Sequence, residues 1–427
     1  MRIAFLSFEF PPETAHGGIA TYTAQAADLL AERGHEVEVF AGGAATSSFE
    51  RPSGVKVHTV GCTDNCRFAF PAGLAFALRH AEAPFEVLEA PEYQAEAEFA
   101  IRFAPEIPLV IRMHSPAGLL SEINTPRNLR NLKFAEALPQ LRMFVGALRK
   151  REALPDLKLA NPAIVSGRET EMRELAVARE SDEVVSPSGA LRTYAIDQWQ
   201  LPENRVAHVP NPFAPSPVML DVPPVDEAPT VGFFGRLEVR KGIKTLSAAI
   251  PRIAQAVPGV RFLFVGKSTP LEGGEDAAEQ LQALCAKLGI AAEFPGRQPS
   301  ESLPGWFGKV RVAVFPSVWE NFPYVCLEAM AAARAVVGSN AGGMSDMIEP
   351  GKTGLLIAPE NSSQLADHVI RLLGDVPLCR TMGQAARESV LARYSAATMG
   401  PQIEASYQRA IAHRRQAGPR RQPWMLS

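Results

Sequence analysis

Two glutamates eight positions apart, Glu320 and Glu328, mark the segment of this sequence with the clearest chemical character. Glu320 follows an apolar strand that we predict over 311–315, and Glu328 falls inside the helix that we predict next. Pro323 suits the first turn of that helix, where a missing N–H costs nothing, and the free amides of 322–326 would attract an anion. A loop carboxylate, a helix N-terminus and a helix carboxylate together suit a sugar, a diphosphate and a ribose.

A pair of cations, Arg236 and Lys241, follows the strand that we predict over 230–234. Arginine offers a planar fork for phosphate oxygens and lysine a point charge, and open α/β sheets bind ligands at this end of their strands. A solvated loop would also contain such residues. The chain has no Asp-x-Asp sequence, so a metal-chelated diphosphate is not supported and we expect no metal site.

Further candidate residues follow three predicted strands of the first half of the chain. Gly17 and Gly18 allow positive φ and a close approach of the backbone to a ligand, at the start of a helix. A simple strand-to-helix turn is the alternative. His114 ends the strand at 109–113, where it faces a ligand or serves as a structural histidine bonded to backbone. For Glu89-Ala90-Pro91-Glu92, after the strand at 87–88, we favour a loop cap over a role in binding acceptor hydroxyls.

Apolar strands and amphipathic helices alternate in two runs, one from Arg2 and one from Thr230. A chain of 427 residues is too long for one ordinary core, so we predict the α/β class, with two doubly wound parallel sheets. The Pro-rich stretch 211–229 cannot continue either sheet and is predicted to be the linker.

The composition excludes several classes of protein. A formal charge of −3 gives no reason to expect nucleic acid, and five scattered cysteines predict reduced thiols and no zinc site. The N-terminus is apolar over too short a run for a signal peptide, and no window approaches 18 apolar residues. We therefore expect a cytoplasmic protein with no membrane span.

Two segments depart from the alternation. Residues 121–158 contain eight Lys and Arg against four Asp and Glu, which gives a local charge of +4. We favour a solvated helix face for 127–151, and the alternative is peripheral contact with anionic lipid headgroups at the inner membrane face or with a phosphorylated acceptor. The basic tail from Ile411 contains Gly, Pro and Gln, and it is predicted to fray.

These motifs, taken in order, resemble the retaining glycosyltransferases of the GT-B superfamily, family 4, with a glycosyl transferases group 1 domain. The resemblance covers nearly the whole chain, and its elements are Gly17-Gly18, His114, Arg236 with Lys241, Glu320-x7-Glu328 and the turn Gly342-Gly343. Departures from the family pattern fall at Ser115, Pro212 and Ala333, where the family has Gly, and at Asp346, where Glu is commoner.

The resemblance implies a GT-B fold with two Rossmann-like domains facing a central cleft. Residues 1–212 would form the acceptor-side domain, and residues 213–395 the nucleotide-sugar domain. Residues 396–427 would supply a helix that crosses back to the first domain, followed by the basic tail.

The implied activity is transfer of a hexosyl group from a nucleoside diphosphate sugar, with retention of configuration and without cofactor or metal. The acceptor would be a sugar, a lipid-linked glycan or a small molecule. Glu320 would hold sugar hydroxyls, Glu328 the ribose, and Arg236 with Lys241 the leaving diphosphate. The expected catalytic residues are His114, Glu320, Arg236 and Lys241, and the expected donor-binding residues are Gly17, Gly18, Arg236, Lys241, Glu320, Asn321, Phe322, Pro323, Tyr324 and Glu328.

Two alternatives stay open at this point. One is a GT-B nucleotide-sugar epimerase or hydrolase, which would release epimer or free sugar without an acceptor. The other is a non-catalytic subunit that binds a nucleotide sugar, which the intact set of charged residues argues against.

Overall fold

A computed structural model describes residues 1–14, 17–124, 162–223, 228–271 and 274–421. The first half of the chain forms an eight-stranded sheet in the order β3-β4-β2-β1-β5-β6-β7-β8. All its neighbouring strands are parallel except β3, which pairs antiparallel with β4 at the edge. The strands are β1 (Arg2–Ser7), β2 (Glu36–Gly43), β3 (Ser47–Glu50), β4 (Lys56–Gly61), β5 (Val87–Pro91), β6 (Leu109–Arg112), β7 (Glu183–Ser186) and β8 (Val206–His208).

The second half forms a six-stranded parallel sheet in the order β11-β10-β9-β12-β13-β14. Its strands are β9 (Thr230–Phe234), β10 (Arg261–Val265), β11 (Ala291–Gly296), β12 (Val312–Phe315), β13 (Ala335–Ser339) and β14 (Leu355–Ile357). The predicted class of two parallel-sheet α/β units is confirmed. Two strands were missed: β3 is polar and exposed along its length, and β14 is only three residues long, so neither has the apolar run on which the prediction relied.

Helices occupy most of the connections. They are α1 (Gly18–Glu32), α2 (Asn65–Glu82), α3 (Ala100–Phe103), α4 (Ala117–Asn124), α5 (Pro162–Glu180), α6 (Gly189–Asp197), α7 (Pro217–Leu220), α8 (Ile243–Ala256), α9 (Ala277–Lys287), α10 (Leu303–Gly308), α11 (Tyr324–Ala331), α12 (Met344–Met347), α13 (Ser362–Leu373), α14 (Val376–Arg393) and α15 (Ala396–Ala417). Among the described helices, none combines the length and apolar character that crossing a bilayer requires.

Both faces of each sheet are buried, which explains the near-continuous apolar strands. In β1, Ile3 and Phe5 join one apolar cluster while Ala4 joins another on the opposite face. In β10, Phe262 and Leu263 likewise separate into two clusters. This pattern is typical of parallel sheets covered by helices on both sides.

The last helix, α15, packs against α1 and against β5, β6 and β7 of the first sheet. Beyond it, Arg420 donates to the buried carboxylate of Asp182 at 2.8 Å, and Arg414 within the helix approaches the same carboxylate at 2.9 Å. The prediction that the basic tail frays is therefore wrong as far as residue 421, because a buried anion of the first sheet binds two of its arginines.

The helix α11 ends in a backbone conformation that suits glycine. Ala333 has a φ of 55°, and the N–H of Arg334 donates to the carbonyl of Ala329 at 3.0 Å, as at a helix end closed by a left-handed residue. An L side chain in this region costs roughly 1–2 kcal/mol.

We predict that Ala333→Gly stabilises the protein by about 0.5–1 kcal/mol, since relief of this strain exceeds the entropy that glycine adds to the unfolded chain. A higher midpoint of urea unfolding would show it. The matched control is Ala332→Gly, because Ala332 has a φ of −72° and is fully buried, so this variant should unfold at lower urea. Equal destabilisation by both substitutions would contradict the prediction.

Candidate functional site

The loop 316–323 leads from β12 into α11 and carries the first of the two glutamates. Pro323 is the residue just before the helix, with φ −76° and ψ 98°, one position earlier than predicted. Its carbonyl accepts the N–H of Cys326 at 3.0 Å. Within the described part of the chain, no acceptor takes the amides of Tyr324 and Val325, so the start of α11 keeps donors available for an anion.

The start of α1 faces the start of α11 across the cleft between the two sheets. A Cβ placed on Gly18 would lie 4.0 Å from Cδ2 of Tyr324. Gly17 precedes the helix with a φ of −171°, which is ordinary extended backbone, and neither glycine has positive φ. The expectation of positive φ is wrong, whereas the close approach of backbone from the two sides is present. Two helix N-termini therefore point into one region, where their partial positive charges favour an anion.

The Glu320 carboxylate lies at the centre of a cluster of charges. Its side chain is 8% exposed, and its Oε1 forms ion pairs with Nζ of Lys241 and, at 3.2 Å, with Nη1 of Arg240. Burial acts to raise the pKa of Glu320, but the charges of Lys241 and Arg240 outweigh it and bring that pKa below its usual value. Burial also lowers the pKa of Lys241, although Glu320 opposes the shift.

The turn at Gly342-Gly343 packs directly on the backbone of Glu320. The N–H of Gly343 donates to the Glu320 carbonyl at 2.8 Å. Gly342 has a φ of 68°, and a Cβ there would lie 1.9 Å from the same carbonyl oxygen, so only glycine fits. This turn fixes the main chain that carries the carboxylate.

The two cations predicted for a diphosphate lie in different environments. The side chain of Arg236 is 56% exposed, and its only ion pair within the described residues is with Glu238 at 3.3 Å. The side chain of Lys241, in contrast, is only 17% exposed and is paired with Glu320. Arg240 was not predicted as a site residue, because nothing in the sequence tells which of the neighbours of Lys241 points toward the cleft.

Glu328 lies one turn inside α11 and is partly buried. Burial raises its pKa to about 7. Among the described residues no hydrogen-bond donor or cation contacts its carboxylate. The group is therefore available to accept hydrogen bonds from a ligand, and near neutral pH it titrates.

His114 follows β6 in the first sheet, and its backbone is held by Glu92. The N–H groups of His114 and Ser115 donate to the Glu92 carboxylate at 2.8 and 2.6 Å, so the predicted loop cap is confirmed. The imidazole lies edge-on to the Tyr22 ring with centroids 5.6 Å apart. Burial and the charge of Arg112 lower the pKa of His114 to about 3, so the ring is neutral.

Direct hydrogen bonds join the two sides of the cleft beside these groups. Nδ2 of Asn321 donates to the His114 carbonyl at 2.5 Å, and the Ser188 hydroxyl donates to Oδ1 of Asn321 at 2.7 Å. The N–H of Gly189 donates to the Asp346 carboxylate at 2.7 Å. The Asn321 side chain thus makes its hydrogen bonds across the cleft, and its part in donor binding stays a prediction.

The aromatic members of the predicted set pack inside the protein. The ring of Phe322 lies edge-on to Tyr324 and Tyr394, with centroids 5.5 and 5.6 Å apart. The Tyr324 hydroxyl donates to the carbonyl of Pro212 at 3.4 Å. Tyr324 is buried, so any contact of this residue with a ligand would use its main chain, whereas Phe322 is only partly buried. The basic stretch 127–151 lies outside the described residues.

Two family models match successive parts of the chain. Residues 17–212 match the model of the glycosyl transferase 4-like domain, and residues 228–375 match the model described as glycosyl transferases group 1. The chain belongs to the GT-B glycosyltransferases. Residues that the sequence suggested come from both matched regions, and two pairs of them adjoin across the cleft: Gly18 lies beside Tyr324, and Asn321 donates to the His114 carbonyl.

Relatives of similar length support the assignment. The chain is 25% identical to an uncharacterized glycosyltransferase of Methanocaldococcus jannaschii, over 92% of this chain and 95% of the relative. It is 27% identical to a D-inositol 3-phosphate glycosyltransferase of Stackebrandtia nassauensis, over 99% of this chain and 94% of the relative.

Solved structures share the fold. A sucrose-phosphate synthase from Thermosynechococcus elongatus superposes with a TM-score of 0.70 at 23% identity, over 96% of this glycosyltransferase and 100% of that chain. A protein of Anabaena in complex with UDP-glucose superposes with a TM-score of 0.62 at 20% identity, over 96% of this chain and 99% of that chain.

We predict that Asn321→Ala loosens the cleft, because it removes the hydrogen bonds to His114 and Ser188. Small-angle scattering of the unliganded protein should give a larger radius of gyration, and limited proteolysis should be faster. Asn204→Ala is the matched control, since Asn204 is exposed in the turn before β8. Scattering and proteolysis unchanged from the wild type would show that these contacts do not hold the cleft closed.

Proposed function

We propose that this glycosyltransferase moves a hexosyl group from a nucleoside diphosphate sugar to an acceptor hydroxyl with retention of configuration. The observation that carries the proposal is the ion pair of Glu320 with Lys241, beside the facing N-termini of α1 and α11. A carboxylate for sugar hydroxyls lies next to a cation and free amides suited to phosphates, at the carboxyl ends of β9 and β12.

The donor diphosphate would be neutralised by protein groups and not by a metal ion. Arg236 is exposed enough to reach a phosphate, Lys241 lies deeper, and the amides at the two helix starts complete the set. Glu328 would accept hydrogen bonds from the ribose hydroxyls. The complex of the Anabaena protein with UDP-glucose supports a nucleotide sugar as the class of donor.

The chemistry would consist of positioning and charge stabilisation rather than covalent catalysis. Glu320 is a poor nucleophile here, because two cations lower its pKa and occupy its Oε1. The bond from the anomeric carbon to the phosphate oxygen breaks, and its electron pair leaves with the diphosphate. The acceptor oxygen bonds to the same face of that carbon and gives its proton to the departing phosphate oxygen. The neutral His114 would hydrogen-bond the donor sugar.

The acceptor would be a sugar, a lipid-linked glycan or a small molecule. The relative named for D-inositol 3-phosphate makes inositol phosphates the first small acceptors to test. A lipid-linked acceptor would bring the enzyme to the membrane surface, where the basic stretch 127–151 would meet anionic headgroups.

The deciding experiment combines a donor screen with product analysis in buffer that contains EDTA. A thermal-shift panel of nucleoside diphosphates and their sugars ranks the donors, since stabilisation follows RT ln(1 + [L]/Kd). The selected donor, labelled in the sugar, is then incubated with and without acceptors, and NMR of the product gives its anomeric configuration. Transfer with retention supports the proposal. Free sugar or epimer formed without acceptor would replace transfer as the main activity.

We predict that Arg236→Gln lowers kcat/KM for transfer at least about 10-fold, because a charge-assisted hydrogen bond contributes roughly 1.5–3 kcal/mol. The melting temperature should not change, since the side chain is largely exposed. The control is Arg261→Gln, an exposed arginine at the opposite end of the sheet that pairs with Glu293. Activity equal to that of the control would remove Arg236 from the donor site.

The raised pKa of Glu328 predicts a pH dependence of nucleotide binding. The ribose hydroxyls donate to the ionised carboxylate, so the affinity for nucleoside diphosphate should rise as the pH increases through about 7 and level off only at higher pH. In Glu328→Gln this rise should be smaller, because only the ionisation of the terminal phosphate of the ligand then contributes, and the affinity at high pH should be lower than in the wild type. Calorimetric titration at several pH values measures the affinity of both proteins. An identical pH dependence of the affinity in the variant would exclude Glu328 as its source.

A further inference from the structure

Arg240 contacts Glu320 from a short 3-10 turn that is fixed at several points. The carbonyl of Arg240 accepts the N–H of Val318 at 2.8 Å, which ties the turn to the loop that carries Glu320. The next residue but one, Gly242, has a φ of 80°, and a Cβ there would lie 1.8 Å from the carbonyl oxygen of Pro316. The turn and the loop therefore keep a constant separation.

The Arg240 side chain is held at both of its terminal nitrogens. Nη1 lies 3.2 Å from Glu320 and Nη2 lies 3.1 Å from Glu238, and the side chain is only 11% exposed. Arg236, which is exposed, shares Glu238. Unlike Arg236, Arg240 is thus committed to two carboxylates within the protein.

The charges near Glu320 cannot all be satisfied once a diphosphate binds. In the unliganded protein its carboxylate is compensated by Lys241 and Arg240. On the proposed function, the single positive charge of Lys241 is drawn toward a diphosphate that carries several negative charges. A buried carboxylate that loses its counter-ion is strongly destabilised. Only a cation that stays in place can keep Glu320 ionised beside the sugar.

We propose that Arg240 is a positioning residue for this site: it keeps Glu320 ionised and aimed into the cleft when the donor diphosphate engages Lys241. This inference rests on the proposed function for its role in turnover. The stabilisation of the ionised Glu320 carboxylate by Arg240 is a property of the unliganded protein, and it can be tested without a donor.

Replacing Lys241 by methionine imitates the state in which its ammonium has left Glu320. Lys241→Met alone should melt within a few degrees of the wild type, because Arg240 remains. Adding Arg240→Gln should lower the melting temperature by several further degrees at pH 8, and by less at pH 5, where Glu320 can take up a proton. The other groups near Glu320 do not supply a charge in its place, since Ser317 is neutral, burial raises the pKa of the Cys326 thiol, and Glu238 is an anion.

The sign of this pH effect follows from burial. Without either cation, the pKa of Glu320 in the folded protein would lie above its unfolded value. Stability is then present at low pH and is lost as the pH rises through the folded pKa. A third substitution, Glu320→Gln, should restore the melting temperature at pH 8. The proposal would be overturned if the losses in melting temperature of the two single variants simply add up to that of the double variant. It would also be overturned if Glu320→Gln does not restore the melting temperature of the double variant at pH 8.

A second measurement tests the role in donor binding, with UDP and UDP-glucose as probes. Arg240→Gln should weaken binding of UDP-glucose at least 10-fold more than binding of UDP, because Glu320 is proposed to contact the sugar alone. Arg240→Lys should recover part of the loss, and Arg261→Gln should have no effect. Equal weakening of both ligands would make Arg240 a phosphate ligand and overturn the positioning role. If the wild type binds neither these probes nor any other nucleotide or nucleotide sugar of the thermal-shift panel, the proposed donor class fails, while the melting experiment still decides on Arg240.

Discussion

The ion pairs of Glu320 with Lys241 and Arg240 are the interaction on which the site depends. A carboxylate this deeply buried requires counter-ions, and both come from the loop that follows β9, whereas Glu320 follows β12. β9 and β12 are neighbours in the sheet and run parallel, so their carboxyl ends lie at one edge. Two segments about 80 positions apart in the chain meet there because the sheet is wound in this order.

The first sheet supplies the opposite wall of the cleft by the same geometry. α1 follows β1, His114 follows β6, and the Glu92 carboxylate after β5 holds the amides of His114 and Ser115. These three strands are adjacent. Asn321, next to Glu320, bonds to the carbonyl of His114. The position of the loop that carries Glu320 is thereby linked to the position of the His114 loop across the cleft.

Strands and motifs that depend on residues close together in the chain could be predicted from the sequence. Apolar runs predicted β6, β9 and β12, which are buried throughout, whereas β3 is exposed along its length and was missed. The residues of the Glu-x7-Glu segment could be located because loop, proline and helix follow one another in the chain.

Long-range pairings could not be predicted in this way. Glu89 was considered for acceptor binding, but in the structure Tyr22 and Tyr407 donate to it, and Tyr407 lies 318 positions away on α15. Tertiary packing alone determines three other contacts. They are the ion pairs of Arg414 and Arg420 with Asp182, the hydrogen bonds of Asn321 across the cleft, and the ion pair of Arg240 with Glu320. None of them leaves a periodic or motif signal in the sequence.

The most direct test of the account is a crystal structure of the protein with UDP bound in the cleft. In that structure we expect Nζ of Lys241 to contact a phosphate oxygen, amides at the start of α11 to contact the same diphosphate, and Arg240 to remain paired with Glu320. A diphosphate bound away from Lys241 and α11, with the pair of Lys241 and Glu320 unchanged, would contradict it.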